Sequence, residues 1–264
     1  MKIRELLESL PAPQGIDDEA SFKQLWQSVF DPAWSNEELA FAGGVCADRP
    51  AFLFIAGYQA TIRKTFGVAD DYWSAVAVSE DRSSENPRPP VKEENGKLNG
   101  CKTWIASSQL VDELIVSAGS ESLYRIPRDY PGLTISNKPT QSFLGDMSQG
   151  VAELTDLSVN GLEALPAAEL KQFGRREPLY IYLAFCGFLF TRAGQDVTRL
   201  VDNLVEVAAG NFSATHHREL FAAVDDEMGH HFNDIDPGLL SGTPDADRKL
   251  ISMYSPAIQK RAGR

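Results

Sequence analysis

Residues Leu98 to Ala118 read LNGCKTWIASSQLVDELIVSA. Asn99-Gly100 predicts a tight turn, because this pair supplies the positive φ angles that short connections between strands demand. An alternating segment then carries Trp104. After a polar break the chain enters a second apolar strand, Glu113 to Ala118, and the spacing predicts a hairpin.

Working outward, Trp73 to Glu80, WSAVAVSE, is built of small and β-branched residues and predicts a strand. Asp81 to Glu94, DRSSENPRPPVKEE, is polar and Pro-rich and predicts a surface loop. Glu121 to Ile126, Leu133 to Ser136 and Val151 to Val159 complete roughly five or six strands, enough for a compact antiparallel sandwich or barrel.

Helical periodicity flanks these strands. A short helical patch is predicted over residues 1 to 12, ending at Pro11 and Pro13. Asp17 or Asp18 caps a helix through Phe30, with Phe22, Leu25, Trp26 and Val29 on one stripe. Ser35 and Glu38 have capping-box spacing, opening a helix towards Cys46, and Ala51 to Phe66 is an apolar helix stopping at Gly67. Beyond Pro166, Ala167 to Phe173 predicts a short piece. Glu177-Pro178 reads as a helix start, where the first turn has no intrahelical acceptor for the missing N–H. Leu179 to Ala209 follows as a long, mostly apolar stretch in which Gly187, Gly194 or both permit close backbone approach or a break. His216 to Asn233 predicts an amphipathic helix closed by Asp236-Pro237-Gly238, and Asp245 to Ala262 a last helix with a basic end. The expected class is α+β, with a helical part at 1–72, a central β-domain at 73–165 and a truncated helical bundle at 166–264.

The chain has 264 residues, 43% of them hydrophobic, which excludes disorder. A formal charge of −12 argues against nucleic acid or an anionic membrane as partner, since both demand clustered Lys and Arg. Cys46, Cys101 and Cys186 are too scattered for a disulfide framework or a zinc site and read as reduced core thiols. The N-terminus, MKIRELLESLP, has no apolar core of a signal peptide, so a cytoplasmic protein is expected. The apolar run Leu179 to Phe190 would rise about 18 Å as a helix, short of the roughly 30 Å of a bilayer core, so no membrane span is expected.

Several segments in order resemble the acyl-CoA dehydrogenases. NG-x-K-x-WI-x-S at Asn99 to Ser107, followed by the strand ending at Ala118, is similar to their middle domain. So are Ala75 to Glu80, AVAVSE, ending in a Ser-Glu pair, and Phe143 to Gly150, FLGDMSQG, before the strand at Val151. The resemblance implies helices, β-domain and helices in that order, with FAD between the β-domain and the C-terminal helices. It further implies an acyl-CoA or related thioester as substrate, α,β-desaturation with hydride transfer to FAD, and a place in fatty acid metabolism. By position it implies that Trp104 flanks the flavin, with Val78 and Ser79 lying along it. Trp104 reads equally as a half-buried sheet residue.

The chain also departs from the pattern. The hydroxyl residue expected after Trp-Ile is Ala106, so Ser107 or Ser108 would have to replace it. The Gly-rich loop expected after Ser-Glu is replaced by Asp81 to Glu85, without glycine, although glycine is what lets backbone approach a ligand closely. The C-terminal Gly-Gly segment that helps hold FAD is absent. Desaturation needs a carboxylate to remove the α-proton. By resemblance that candidate is Glu177, which also reads as a helix-start acid favoured by the macrodipole. Arg175-Arg176 beside it is a basic patch that favours a ligand site.

The resemblance predicts a homodimer or larger assembly, because a shortened bundle leaves apolar helix faces to cover. The alternative is a non-catalytic member, a structural or regulatory partner in a hetero-oligomer with a full-length dehydrogenase. A separate pattern, Glu227-x-x-His230, is the pair that di-metal helix bundles use twice. It occurs once, with Asp226, His216 and His217 as further candidates, and reads as a solvated helix face more than as a metal site.

Overall fold

The computed structural model describes residues 6, 10, 15–68, 72–83, 85–236, 247 and 249–264. The helical patch over residues 1 to 12, the Pro237-Gly238 stop and the first residues of the helix expected from Asp245 fall largely outside them. Two compact units emerge: a helical unit of Met1–Thr61, Ser142–Asp146 and Gly174–Arg264, and a β-unit of Ile62–Gln141 and Met147–Phe173.

In the helical unit, α1 (Glu19–Val29) is capped by Asp18, whose carboxylate accepts from the Ser21 N–H at 2.8 Å. Phe22 and Trp26 are fully buried, and Phe22 stacks on Phe52 at 4.8 Å. α2 (Asn36–Cys46) opens with the predicted capping box: Ser35 meets the Glu38 N–H while Glu38 accepts from the Ser35 N–H at 2.9 Å. α3 (Pro50–Phe66) ends at Gly67, where φ is +63°. Arg49 ties the unit's separate segments together through Asp48, Asp146 and the Ile16 carbonyl.

The short piece and helix start predicted around Glu177-Pro178 are instead one helix, α4 (Ala168–Arg192), with Pro178 inside it. Pro178 forfeits the bond to the Gly174 carbonyl, at a cost of about 3 kcal/mol. The apolar turns that follow offset it, since every residue from Leu179 to Leu189 is buried. A Cβ on Gly44 would lie 1.8 Å from the Ala184 carbonyl oxygen, and one on Gly187 2.2 Å from that of Phe41, so α2 and α4 meet backbone to backbone. Gly187 therefore serves close approach. Gly194, at φ +63°, lies in the break before α5 (Thr198–Ala209). α6 (Thr215–Asp234), α7 (Lys249–Ser252) and α8 (Ser255–Ala262) follow.

Among the described residues the β-unit contains two four-stranded sheets. The first has the order β1 (Ser74–Ala77), β4 (Glu113–Ala118), β5 (Ser122–Pro127), β8 (Glu163–Leu165). The second has the order β2 (Lys92–Glu94), β3 (Lys97–Ala106), β7 (Gln149–Ser158), β6 (Leu133–Asn137). All pairings are antiparallel except β1 with β4, where the Ser74 hydroxyl also donates to Glu113 at 2.8 Å. The α+β class with a central sandwich stands.

Within it the opening hairpin is corrected. β3 and β4 lie in different sheets, and the polar break between them is a crossing braced by Arg128, which donates to the carbonyls of Ser108 and Val111. The hairpin turn is Asn95-Gly96, at φ +53° and +73°, joining β2 to β3. Asn99-Gly100 sits inside β3 at a register shift. A Cβ on Gly100 would lie 2.4 Å from the Pro90 carbonyl oxygen, so glycine serves close approach there rather than a turn. β2 also lies within the segment expected to be loop. Its exposed Lys-Glu-Glu pairs because the turn delivers it to the edge of β3.

Candidate functional site

The residues placed by resemblance along a flavin all lie in the β-unit. Thr103 brings the end of β1 to β3: its N–H and hydroxyl both donate to the Ser79 carbonyl, at 2.8 and 3.3 Å. Val78, Ser79 and Trp104 are thereby brought together. Val78 is 43% exposed, although the strand before it is wholly buried. Trp104 is half-buried, and its indole N–H donates to Gln149 at 3.0 Å.

Next to Thr103, Lys102 is fully buried. Its ammonium donates to Glu80 at 3.0 Å and to the Ser117 hydroxyl at 3.1 Å. A buried ammonium is tolerated only when paired. The Ser-Glu pair and the K-x-W segment that carried the resemblance are thus joined by one ion pair.

Ser107 has left-handed backbone, at φ +51°, and a buried hydroxyl with no hydrogen-bond partner among the described residues. Ser108 is committed, its hydroxyl bonding Asn137 at 2.9 Å. Of the two serines that could replace the hydroxyl absent at Ala106, only Ser107 has one to offer. The glycine-free segment after Glu80 is organised by Asp81, whose carboxylate accepts from the N–H groups of Ser83 and Arg88.

Glu177 belongs to the helical unit. Lying mid-helix, it has no helix-start macrodipole to favour its charge, and the helix-start reading is set aside. Burial pushes its carboxyl up from 4.5 to about 7, opposed by a hydrogen bond with Tyr254. The Tyr254 hydroxyl is itself raised well above its ordinary value, first by burial and then by Glu177, Tyr182 and Tyr58. Tyr182 donates to Asp225 at 2.5 Å, and the other Asp225 oxygen accepts from Ser255 at 2.6 Å and Gln259 at 2.7 Å. Nothing in the sequence pattern linked Tyr254 to Glu177, because the contact is made between α4 and the turn before α8.

In the Glu227-x-x-His230 pattern the glutamate is otherwise engaged. Both Glu227 oxygens accept from Arg199 at 2.7 Å, and His216 pairs with Glu206 at 2.8 Å. Among the described residues no group of three or more His, Cys, Asp or Glu side chains is arranged to hold a metal ion. All three cysteines are buried free thiols. No described helix is long and apolar enough to cross a membrane.

No protein-family model and no curated protein sequence matches the chain. Solved structures do. It is similar to an FAD-dependent dehydrogenase at 12% identity and a TM-score of 0.63, over 98% of this chain and 94% of the other. It is similar to an acyl-CoA dehydrogenase from Geobacillus kaustophilus at 14% identity and a TM-score of 0.63, over 95% and 90%. Butyryl-CoA dehydrogenase from Megasphaera elsdenii matches at 11% identity and a TM-score of 0.52, over 94% and 90%. The chain therefore shares the architecture of these solved structures, which here comprises a helical unit and a β-unit of two sheets. More particularly, the chain has the acyl-CoA dehydrogenase fold, as the ordered motifs implied. Likeness at these identities carries architecture and not activity.

Proposed function

We propose that this protein is an FAD-binding oxidoreductase that desaturates an acyl-CoA or related thioester, with Glu177 as its base. The observation that carries the reading is the Glu177 carboxyl, pushed by burial to about 7 and hydrogen-bonded with Tyr254. A general base is most effective when its pKa lies near the working pH, and a buried carboxylate there is poised to take a proton. In the β-unit, exposed Val78, half-buried Trp104 and the unpartnered Ser107 hydroxyl are the features a flat aromatic ligand with polar edges would use. Val78, Ser79 and Trp104 would hold the ring, with Ser107 as hydrogen-bond donor. FAD, when bound, accepts the hydride lost from the β-carbon. The chain's own part is removal of the α-proton by the Glu177 carboxylate, with Tyr254 holding that carboxylate in place. A homodimer or larger assembly is part of the proposal, as is a cytoplasmic setting.

The visible spectrum of the purified protein, before and after incubation with FAD, tests it. Flavin bands are expected, bleaching on addition of a suitable member of an acyl-CoA panel, and Glu177→Gln should bind FAD but not bleach. A protein that takes up no FAD is not this oxidoreductase. That outcome selects the second reading, a structural or regulatory partner of a full-length dehydrogenase, which the glycine-free segment after Glu80 and the missing hydroxyl at Ala106 favour.

A further inference from the structure

A cavity of about 170 Å³ opens within the helical unit, walled by α4, the α5–α6 connection, α6 and α8. Arg175, Arg218 and Arg261 line it, with Phe212, Phe221 and Ile258 supplying an apolar wall. No Asp or Glu is among the described residues that line it. For a chain of formal charge −12 this is a local reversal of sign, and the charge of Arg175 is near enough to act on Arg261.

These arginines differ from others in the chain. Arg49 pairs with Asp48 and Asp146, Arg125 with Glu113 and Glu163, Arg199 with Glu227, and Arg264 with Asp226. Arg175, Arg218 and Arg261 have no carboxylate partner among the described residues. The Arg218 Nε is buried with no acceptor, and that side chain's one hydrogen bond is from Nη2 to the Thr215 hydroxyl at 3.2 Å. Arg261 is held below its ordinary pKa by burial and by the charge of Arg175. Ser213 and His217, also in the lining, bracket the start of α6, whose N-cap is Ala214 with no side chain to satisfy the first-turn N–H groups. Like charges converging without a counter-ion, next to an uncapped helix start, are destabilising on their own and become favourable around an anion. An inorganic ion would leave the apolar wall unused.

We propose that this cavity binds a small organic anion, its carboxylate or phosphate oxygens met by Arg218, Arg175 and Arg261 and its short aromatic or aliphatic body packed against Phe212, Phe221 and Ile258. The cavity belongs to the helical unit, whereas the proposed flavin residues belong to the β-unit. Arg175 and Glu177, two apart on α4, do not share a helix face.

Isothermal titration of the purified full chain with phenyl phosphate, benzoate, inorganic phosphate and benzyl alcohol tests the site. Phenyl phosphate or benzoate should bind at one equivalent and more tightly than inorganic phosphate, and neutral benzyl alcohol should not bind. The tighter of the two identifies the anionic group. Arg218→Ala and Arg175→Ala should each weaken that binding about tenfold or more, the loss expected for a charge-assisted hydrogen bond. Arg261→Ala, at an exposed position, should do the same in a protein whose far-UV circular dichroism is unchanged, which guards against misfolding of the other two. The proposal is overturned if neither organic anion binds, if inorganic phosphate binds as tightly as phenyl phosphate, or if all three variants bind like the wild type. Flavin uptake is read separately from the visible bands, so neither result decides the other.

Discussion

Replacing Glu177 by Gln should stabilise the protein by an amount that grows as pH rises from about 4.5 and levels off above about 7. The unfolded carboxyl titrates near 4.5 and the folded one near 7. Between those values the native state holds a proton that the unfolded chain has released, so native stability falls as pH rises. The contribution is fully present below 4.5 and is lost as pH passes through 7. At about 1.4 kcal/mol per pH unit, a gap of about 2.5 units amounts to about 3 kcal/mol by pH 8. Glutamine removes the ionisation and keeps an oxygen to accept from Tyr254. Glu177→Gln should therefore exceed the wild type by up to about 3 kcal/mol at pH 8, or about 6–12 °C in Tm for a chain of this size, and by under about 1 kcal/mol at pH 5. Asp247, raised to about 6 by burial, is common to both proteins and cancels in the difference. Urea unfolding followed by far-UV circular dichroism at the two pH values measures it. A difference that does not change between pH 5 and pH 8 would show that this carboxyl is not held protonated by burial, and the argument for it as a base poised near neutrality would fall.

Other consequences are separable. Gly44→Ala should destabilise by about 2 kcal/mol or more, because its methyl would collide with the rigid Ala184 carbonyl. Gly174→Ala meets nothing within 4 Å and should stabilise by up to about 1 kcal/mol in the same unfolding assay. The Lys102–Glu80 pair should respond asymmetrically, since the Lys102 side chain is 1% exposed and that of Glu80 37%. Glu80→Ala strands a buried ammonium and should cost about 3 to 5 kcal/mol. Lys102→Met leaves a carboxylate that water can reach, and should cost distinctly less. Equal losses would mean that the ammonium is not buried.

Much of the architecture was legible because it is written in short-range patterns. The Asp18 cap, the Ser35–Glu38 box and the strands at β4, β6 and β7 each depend on residues a few positions apart. The turn was misplaced although its signal was present. Asn95-Gly96 and Asn99-Gly100 are chemically identical pairs, and only the approach of Pro90 to Gly100 decides which one turns and which one sits in a strand. Pro178 misled for a related reason: local chemistry ends a helix there, while burial of the turns that follow keeps it intact. Neither outcome is contained in the neighbouring residues.

The sequence by itself determined the order of helical and β segments, the capping, the motif set that pointed to an acyl-CoA dehydrogenase fold, and the candidacy of Glu177, Val78, Ser79, Trp104 and Ser107. Only the tertiary structure decided that Glu80 and Lys102 neutralise each other, that Tyr254 meets Glu177, and that Arg175, Arg218 and Arg261 converge on one cavity. Those pairings join residues distant in the chain, and burial and charge act through space, where the order of residues carries no distance.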